Sequence, residues 1–415
     1  MSIDVRTRCL EDVRSLDVDH IFDLVLPDAI RMHGDLAARG LAYQELPPLA
    51  FDVDGRCFTL DAVSNSIALR SGASSAGVVA GLSAAALSDL LQDVASSMGL
   101  AMASRVKITE GSIDDWVRWE PVLRALIDGR RVHETGDVTF VDLDGDELDL
   151  DRVFTVDDSR EEIRHFLEQA GFLHLRGVFD ASEMDALGAD IDEWLTRATP
   201  NDGESWWATD EYGVEHPVRV LFFYEKSAVL RRLVSDARYQ WLGDLTGDGH
   251  VHNGSGEGLV KPLGIVRGLS DLPWHKDCGQ GMHSYQCNGL TTGISVTGAD
   301  RTSGALGVIP GSHRANTMAA GRDSRLDLRP RMLETETGDV TVHCSDTLHR
   351  AYPPVDRPRK VTYSGFGLPP RPGDVVPRNL DEVRSQRASL SDVQSRIEAA
   401  DNETSPDRYR PGRGR

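Results

Sequence analysis

The sequence predicts an α+β fold in which a smaller α/β unit precedes a strand-rich sandwich or barrel. Its 415 residues exceed what one typical core organises, so two domains are expected. An acidic stretch at 141–162, VDLDGDELDLDRVFTVDDSREE, reads as a solvated linker that runs into a helix start. Its ligand spacing and glycine position do not fit a calcium loop. From about 215 to 370, short β-rich runs alternate with Gly, Pro and Asp turns, the pattern of a sandwich or barrel. The expected division is an accessory unit over 1–150, the strand-rich domain over 151–372 and a polar tail over 373–415.

Within the first unit, LAFDVDG, CFTLDAV and SIALRS read as strands. The segment LSAAALSDLLQDVASS follows, with Leu82, Ala86, Leu87, Leu90, Leu91 and Val94 at helical spacing. Ser83 is its N-cap. ASRVKITEGSIDDWVRWEPVLRALIDG then predicts a strand, a glycine turn and a helix. Ser112 and Asp115 are spaced as a capping box and Gly129 ends the helix. After the linker, REEIRHFLEQAGFLHLRGVFDASEMDALGADIDEWL gives helix, short strand, turn and helix, with Asp180 and Glu183 as a second capping box. The later strands are expected in PVRVLFFY, GLVKPLGIV, TTGISVTGA, GALGVIPGS, DVTVHCS and KVTYSGFGL. GDGHVHNGSGEG reads as a flexible loop. Beyond a helix near 380–400, the polar tail offers too little apolar surface to offset its ordering entropy.

Composition narrows the function. Apolar residues are 40% of the chain and charged residues 27%, and the net charge is −21. A surface this acidic is unsuited to a phosphate backbone, so no nucleic-acid partner is expected. The first twenty residues lack the apolar core of a signal peptide, and the longest apolar run, AGVVAGLSAAAL, is far shorter than a membrane span. Five scattered cysteines with no Cys-x-x-Cys pair fit reduced thiols. The expectation is a cytoplasmic protein acting on a small molecule, with homo-oligomer formation left open.

The stretch DLPWHKDCGQGMHSYQCNG at 271–289 places His275 two residues before Asp277. On a strand, residues i and i+2 share a face, so the imidazole and carboxylate project together into the barrel while Lys276 points out. Such a pair alone is commonplace. Downstream, ETGDVTVHCSDTLHRAYPPVDRPRKVTYSGFG supplies His349 at a strand-to-turn position and Arg359 ten residues later. Two His and one carboxylate can hold one face of an Fe(II) octahedron and leave three positions open for a bidentate 2-oxo acid and dioxygen. The distal carboxylate of 2-oxoglutarate suits an arginine fork.

FLEQAGFLHLRGVFDASEMDAL, GLVKPLG before WHKD, SGALGVIPGSHR and GDVTVHCSDTLHRAYPP…RPRK together resemble the phytanoyl-CoA dioxygenase family of Fe(II)/2-oxoglutarate oxygenases, over about 158–370. The resemblance implies a double-stranded β-helix (jelly roll). It also implies that His275, Asp277 and His349 bind iron and that Arg359 binds 2-oxoglutarate. Related halogenases carry a small residue where Asp277 stands, so the retained carboxylate favours hydroxylation, desaturation or ring formation at an aliphatic carbon. Residues 45–130 resemble a sterol-carrier-protein-like domain in element order and in the KITEG turn, which implies an apolar groove and a hydrophobic substrate.

Competing residues are set aside on physical grounds. Cys278, His283 and Cys287 lack the paired spacing of a tetrahedral zinc site. His343, between Val342 and Cys344, reads as a core residue or a neighbour of the site, not a ligand. His313 is expected to fix a turn, and His250 and His252 lack metal-binding partners. Arg357 precedes Pro358 in a turn, which favours Arg359 as the carboxylate-binding residue. Lys261 in VKP is a candidate for the co-substrate pocket, although an exposed strand lysine is the commoner case. SWWATDEYGVEHPVRVLFFYEK at 205–226 supplies core aromatics and a candidate substrate lid. Two other readings stay open: a non-catalytic small-molecule binding protein on the same barrel, and a metal enzyme that does not use 2-oxoglutarate.

Overall fold

The computed structural model describes residues 14–247, 249–268, 272–277 and 289–367, together with 385, 390 and 393–400. The first unit is built on strands Leu49–Val53 (β1), Arg56–Val63 (β2), Ser66–Ser71 (β3), Val78–Leu82 (β4) and Val106–Glu110 (β5). They lie in the order β3-β2-β1-β4-β5. β1 and β4 are parallel and the other neighbours antiparallel. Helices Leu26–Gln44 and Ile113–Asp128 pack on each other and on this sheet. Trp116 and Trp119 are fully buried, and their indole N–H groups donate to Ser97 O at 2.9 Å and Pro47 O at 2.8 Å. Each large apolar body thus reaches the core with its polar edge satisfied.

Ser83 accepts from Ala86 N, and Gly129 closes helix Ile113–Asp128 in the left-handed region at φ 68°. The expected Ser112–Asp115 box is half made: Ser112 accepts from Asp115 N, but the Asp115 carboxylate takes the Ser112 hydroxyl at 2.8 Å. Helix Leu26–Gln44 carries weak signals in the sequence because Gly34 and Gly40 lower its propensity. The fold needs both: a Cβ at Gly34 would collide with Ser66 Oγ, and one at Gly40 with Val132.

In the second unit, helices Arg160–Ala170 and Ala181–Arg197 flank a double-stranded β-helix. Asp180 and Glu183 make the predicted capping box. The strands are Phe172–Leu175 (β6), Ser205–Asp210 (β7), Glu215–Val220 (β8), Val251–His252 (β9), Glu257–Lys261 (β10), Ile265–Arg267 (β11), Leu290–Ser295 (β12), Leu306–Val308 (β13), Arg331–Leu333 (β14), Val340–Cys344 (β15), His349–Ala351 (β16) and Arg359–Gly367 (β17). The larger sheet runs β11-β7-β8-β10-β17-β12-β15-β6, with β9 also paired to β17, and the smaller runs β14-β13-β16. The flanking helices bury Phe166, Leu187 and Ile191 in one cluster with Leu290, Ile294, Val340 and Val342 of the larger sheet.

Some local expectations fail for identifiable reasons. PVRVLFFY is not strand throughout: β8 ends at Val220, Phe222 enters the left-handed region at φ 54°, and Phe223–Lys226 is helical. The crossing is tight, since Phe223 N donates to Gly256 O at 2.6 Å. GLVKPLGIV is split into β10 and β11 by a turn at Leu263–Gly264. GDGHVHNGSGEG is not all loop, because it contributes β9, with His252 opposite Phe366.

The two units share contacts through residues 315–321. Met318 and Ala320 are buried in the core of the first unit, as are Trp206 and Leu221 from the β7–β8 hairpin. Asn316 donates to Pro121 O at 2.9 Å and to Arg130 O at 2.8 Å, and its own carbonyl accepts from His133 N at 3.0 Å. His133 Nε2 lies 2.7 Å from Asp327 Oδ1. Helix Val393–Ala400 packs against helix Ser97–Met102 and β5. Lys107 Nζ donates to Ala399 O at 2.6 Å. Apart from residues 385 and 390, the remainder of the expected tail is outside the described residues.

Candidate metal centre

His275 and His349 face each other across one antiparallel bridge. His275 N donates to His349 O at 3.0 Å, and His349 N returns a bond to His275 O at 2.9 Å. Ala320 bridges His275 on its other side. Among the described residues the expected strand through LPWHKDC therefore reduces to isolated bridges at His275. The expected outward Lys276 is corrected: it is buried, with its N donating to Ala319 O at 2.7 Å and its Nζ to Ser312 O at 3.1 Å.

Asp277 sits where the two histidines converge. Its Oδ1 is 3.6 Å from His275 Nε2 and 3.5 Å from His349 Nε2, and one donor atom from each of the three residues lies within 4.8 Å of the others. The ring orientations suit a cation. His275 Nδ1 is 2.7 Å from Pro273 O and His349 Nδ1 is 2.9 Å from Thr347 O. A carbonyl only accepts, so each Nδ1 carries the proton and each Nε2 presents its lone pair inward.

Electrostatics point the same way. Burial opposes ionisation of Asp277, but the imidazoles of His349, His275 and His343 outweigh it and hold the carboxyl well below its usual range. Burial, reinforced by His343 and His275, holds His349 well below the ordinary imidazole value. An ionised Asp277 carboxylate beside a neutral His349 imidazole is the protonation state that metal ligation requires. The residues present therefore fit a divalent iron, with two nitrogens and one oxygen on one side and nothing in the set that favours a closed thiolate site.

Arg359 opens β17 directly opposite Lys261 at the end of β10. Both are 2% exposed. Arg359 Nη1 donates to Gly304 O at 2.8 Å, and its buried Nε has no hydrogen-bond partner among the described residues. Among the described residues no carboxylate pairs with this guanidinium. Lys261 is not the exposed strand lysine of the commoner case, and its Nζ donates to Tyr352 O. Arg357, by contrast, is exposed and paired with Asp300.

The other singled-out residues fall elsewhere. His313 Nε2 is 2.9 Å from Glu168 O and ties the turn to a helix. His250 contacts Thr246, and His252 contacts Ser364 on the helix-packed side of the sheet. Trp206 and Phe223 are core, whereas Tyr212 at the hairpin tip is 83% exposed. Cys278, His283 and Cys287 are outside the described residues. What the sequence reading did not place is the company of Asp277 Oδ2: Thr291 Oγ1 donates to it at 2.7 Å, and His343 Nε2 stands 3.6 Å away. Thr291 and His343 are opposite one another on β12 and β15, a pairing that depends on strand register.

This barrel is that of a non-haem iron, 2-oxoglutarate-dependent oxygenase. Residues 167–360, a little under half of the chain, match the family model of phytanoyl-CoA dioxygenase (PhyH). No curated protein matches the sequence. Similar solved structures include the epimerase SnoN in complex with Fe3+, alpha ketoglutarate and nogalamycin RO, at 20% identity and TM-score 0.41, covering 50% of this chain and 83% of that one. EctD from S. alaskensis with 2-oxoglutarate and 5-hydroxyectoine is 19% identical at TM-score 0.44, covering 57% and 82%. The carbocyclase SnoK from nogalamycin biosynthesis is 20% identical at TM-score 0.41, covering 52% and 87%. No described helix is long and apolar enough to cross a membrane.

Proposed function

We propose that this oxygenase hydroxylates an aliphatic C–H of a small hydrophobic metabolite in the cytoplasm, with His275, Asp277 and His349 as the iron ligands and Arg359 as the anchor of 2-oxoglutarate. The convergence of two imidazole Nε2 atoms on one carboxylate oxygen carries the reading. Bound Fe(II), with 2-oxoglutarate and dioxygen, supplies the oxidising power that breaks an unactivated C–H bond.

The chain's own residues do the rest. Pro273 O and Thr347 O fix the two imidazole tautomers, and Thr291 fixes the carboxylate. Arg359 is a buried cation with no described counter-ion, an arrangement that is costly until an anion arrives. The distal carboxylate of 2-oxoglutarate is such an anion, and Lys261 beside it adds a second positive charge to that end of the pocket. The hydrophobic substrate class rests on the resemblance of residues 45–130 to a sterol-carrier-protein-like domain. The retained carboxylate of Asp277 favours hydroxylation over halogenation, because it occupies the place a halide would take. The division at about 150 between accessory unit and oxygenase belongs to the same proposal.

The test is anaerobic addition of Fe(II) and 2-oxoglutarate to metal-free protein, read by the weak visible charge-transfer band of a chelated 2-oxo acid. The wild type should give the band, His275→Ala should lose it, and Arg359→Ala should require at least tenfold more 2-oxoglutarate, about 1.4 kcal/mol. An iron-loaded, folded wild type without the band would overturn the reading. An Arg359→Ala variant with unchanged 2-oxoglutarate demand would remove Arg359 from it.

A further inference from the structure

We propose that His343, together with Thr291, is a positioning residue that holds Asp277 in one-oxygen ligation, and this rests on the iron reading above. The two carboxylate oxygens have different surroundings. Oδ1 faces His275 and His349, whereas Oδ2 faces Thr291 Oγ1 at 2.7 Å and His343 Nε2 at 3.6 Å. An oxygen held from behind by the Thr291 O–H, and faced by His343 Nε2 in the tautomer that protonates that nitrogen, is drawn away from the metal position. The carboxylate then offers a single oxygen and leaves adjacent coordination positions for the 2-oxo acid and dioxygen.

His343 is an expensive residue for a barrel wall unless it has such a task. It is 1% exposed, and among the described residues neither ring nitrogen has a hydrogen-bond partner. A buried polar group left unmade costs free energy that a phenyl ring in the same place would not. Its ring lies against that of His349, with centroids 4.1 Å apart, and His349 in turn lies 4.2 Å from His275. The three rings form a row along one side of Asp277. His343 is outside the set of donors that converge on Oδ1, so its geometry is that of a partner to the carboxylate. The Nε2 to Oδ2 separation is just beyond hydrogen-bond reach, as such contacts often are before the reacting complex assembles.

The experiment compares wild type, His343→Phe, His343→Gln and Thr291→Val in two readouts: the dissociation constant for Fe(II) alone, and the position and intensity of the anaerobic charge-transfer band with 2-oxoglutarate. Loss of a group behind a metal ligand costs about 10- to 100-fold in metal affinity. His343→Phe should therefore weaken Fe(II) binding by about that factor and shift or weaken the band, while His343→Gln, which keeps an N–H donor, should restore most of both. Thr291→Val should move both readouts in the same direction, and it decides the matter if His343→Phe does not fold. A folded His343→Phe with wild-type affinity and band would overturn the proposal, as would a His343→Gln variant impaired more than His343→Phe, because ring packing and not the N–H would then explain the effect. Absence of the band in the wild type overturns the iron reading instead, so the two failures are distinguishable.

Discussion

Asp277 and His349 both titrate below their ordinary ranges in the folded chain, and the consequence for stability has one sign. In the unfolded chain each takes up a proton at higher pH than in the folded one, so the unfolded state binds more protons and stability rises with pH. The His349 contribution begins to be lost as pH falls below about 6.5, and that of Asp277 below about 3.9. The melting temperature of the metal-free protein should therefore decline between pH 7 and pH 5, and again on further acidification. Calorimetry across that range is the check; a flat profile from pH 7 to 5 would contradict the assignment for His349. At this scale the sequence was informative where spacing alone decides. His275 and Asp277 are two residues apart, and Arg359 follows His349 by ten. It was silent on Lys276, because the alternation that should turn a residue outward applies only inside a ladder, and His275 makes only isolated bridges, to His349 and Ala320. The sequence marks His343 as a core residue or a neighbour of the site, but its place beside Oδ2 depends on its register against Thr291, which no local pattern encodes.

Among the elements, the segment 315–321 does two jobs at once. Ala319 and Ala320 meet the backbone of Lys276 and His275, while Asn316 satisfies carbonyls at Pro121 and Arg130. Asn316→Ala should leave those carbonyls without their side-chain partner at a cost of about 1–3 kcal/mol, read by denaturant unfolding. Because the same segment abuts His275, Fe(II) affinity should fall as well. Unchanged affinity in a measurably destabilised variant would separate the two effects and contradict the coupling. Element types were mostly legible from β-branched runs, capping residues and Gly129. The exceptions share a cause: tertiary contact overrode local preference. Gly34 and Gly40 weaken a helix so that it can approach β3 and Val132, and Phe222 leaves the strand conformation where Phe223 crosses Gly256.

For the molecule as a whole, the relevant fact is that the core of the first unit is completed by residues from the second. Trp206, Leu221, Met318 and Ala320 are buried among Leu90, Trp116 and Trp119. Met318→Ala lies far along the chain from those tryptophans, yet it should destabilise the unit that contains them by about 2–5 kcal/mol. Tryptophan fluorescence during thermal unfolding should register the change together with loss of the 2-oxoglutarate band. Two transitions, with the barrel's unmoved, would mean the units are energetically separate. The sequence announced two units through composition and the acidic stretch at 141–162, but nothing in it marks a residue near 318 as core for a sheet formed before residue 111.

That arrangement bears on how the chain could have been assembled. A barrel cut free at the acidic stretch would bare Met318 and Ala320 to water and leave Asn316 without its carbonyls, beside the bridge that aims His275. The join is therefore not a neutral place at which to exchange one module for another. A recombinant that inherits the oxygenase with a foreign partner would have to inherit, or rebuild, the surface that presents Pro121 and Arg130.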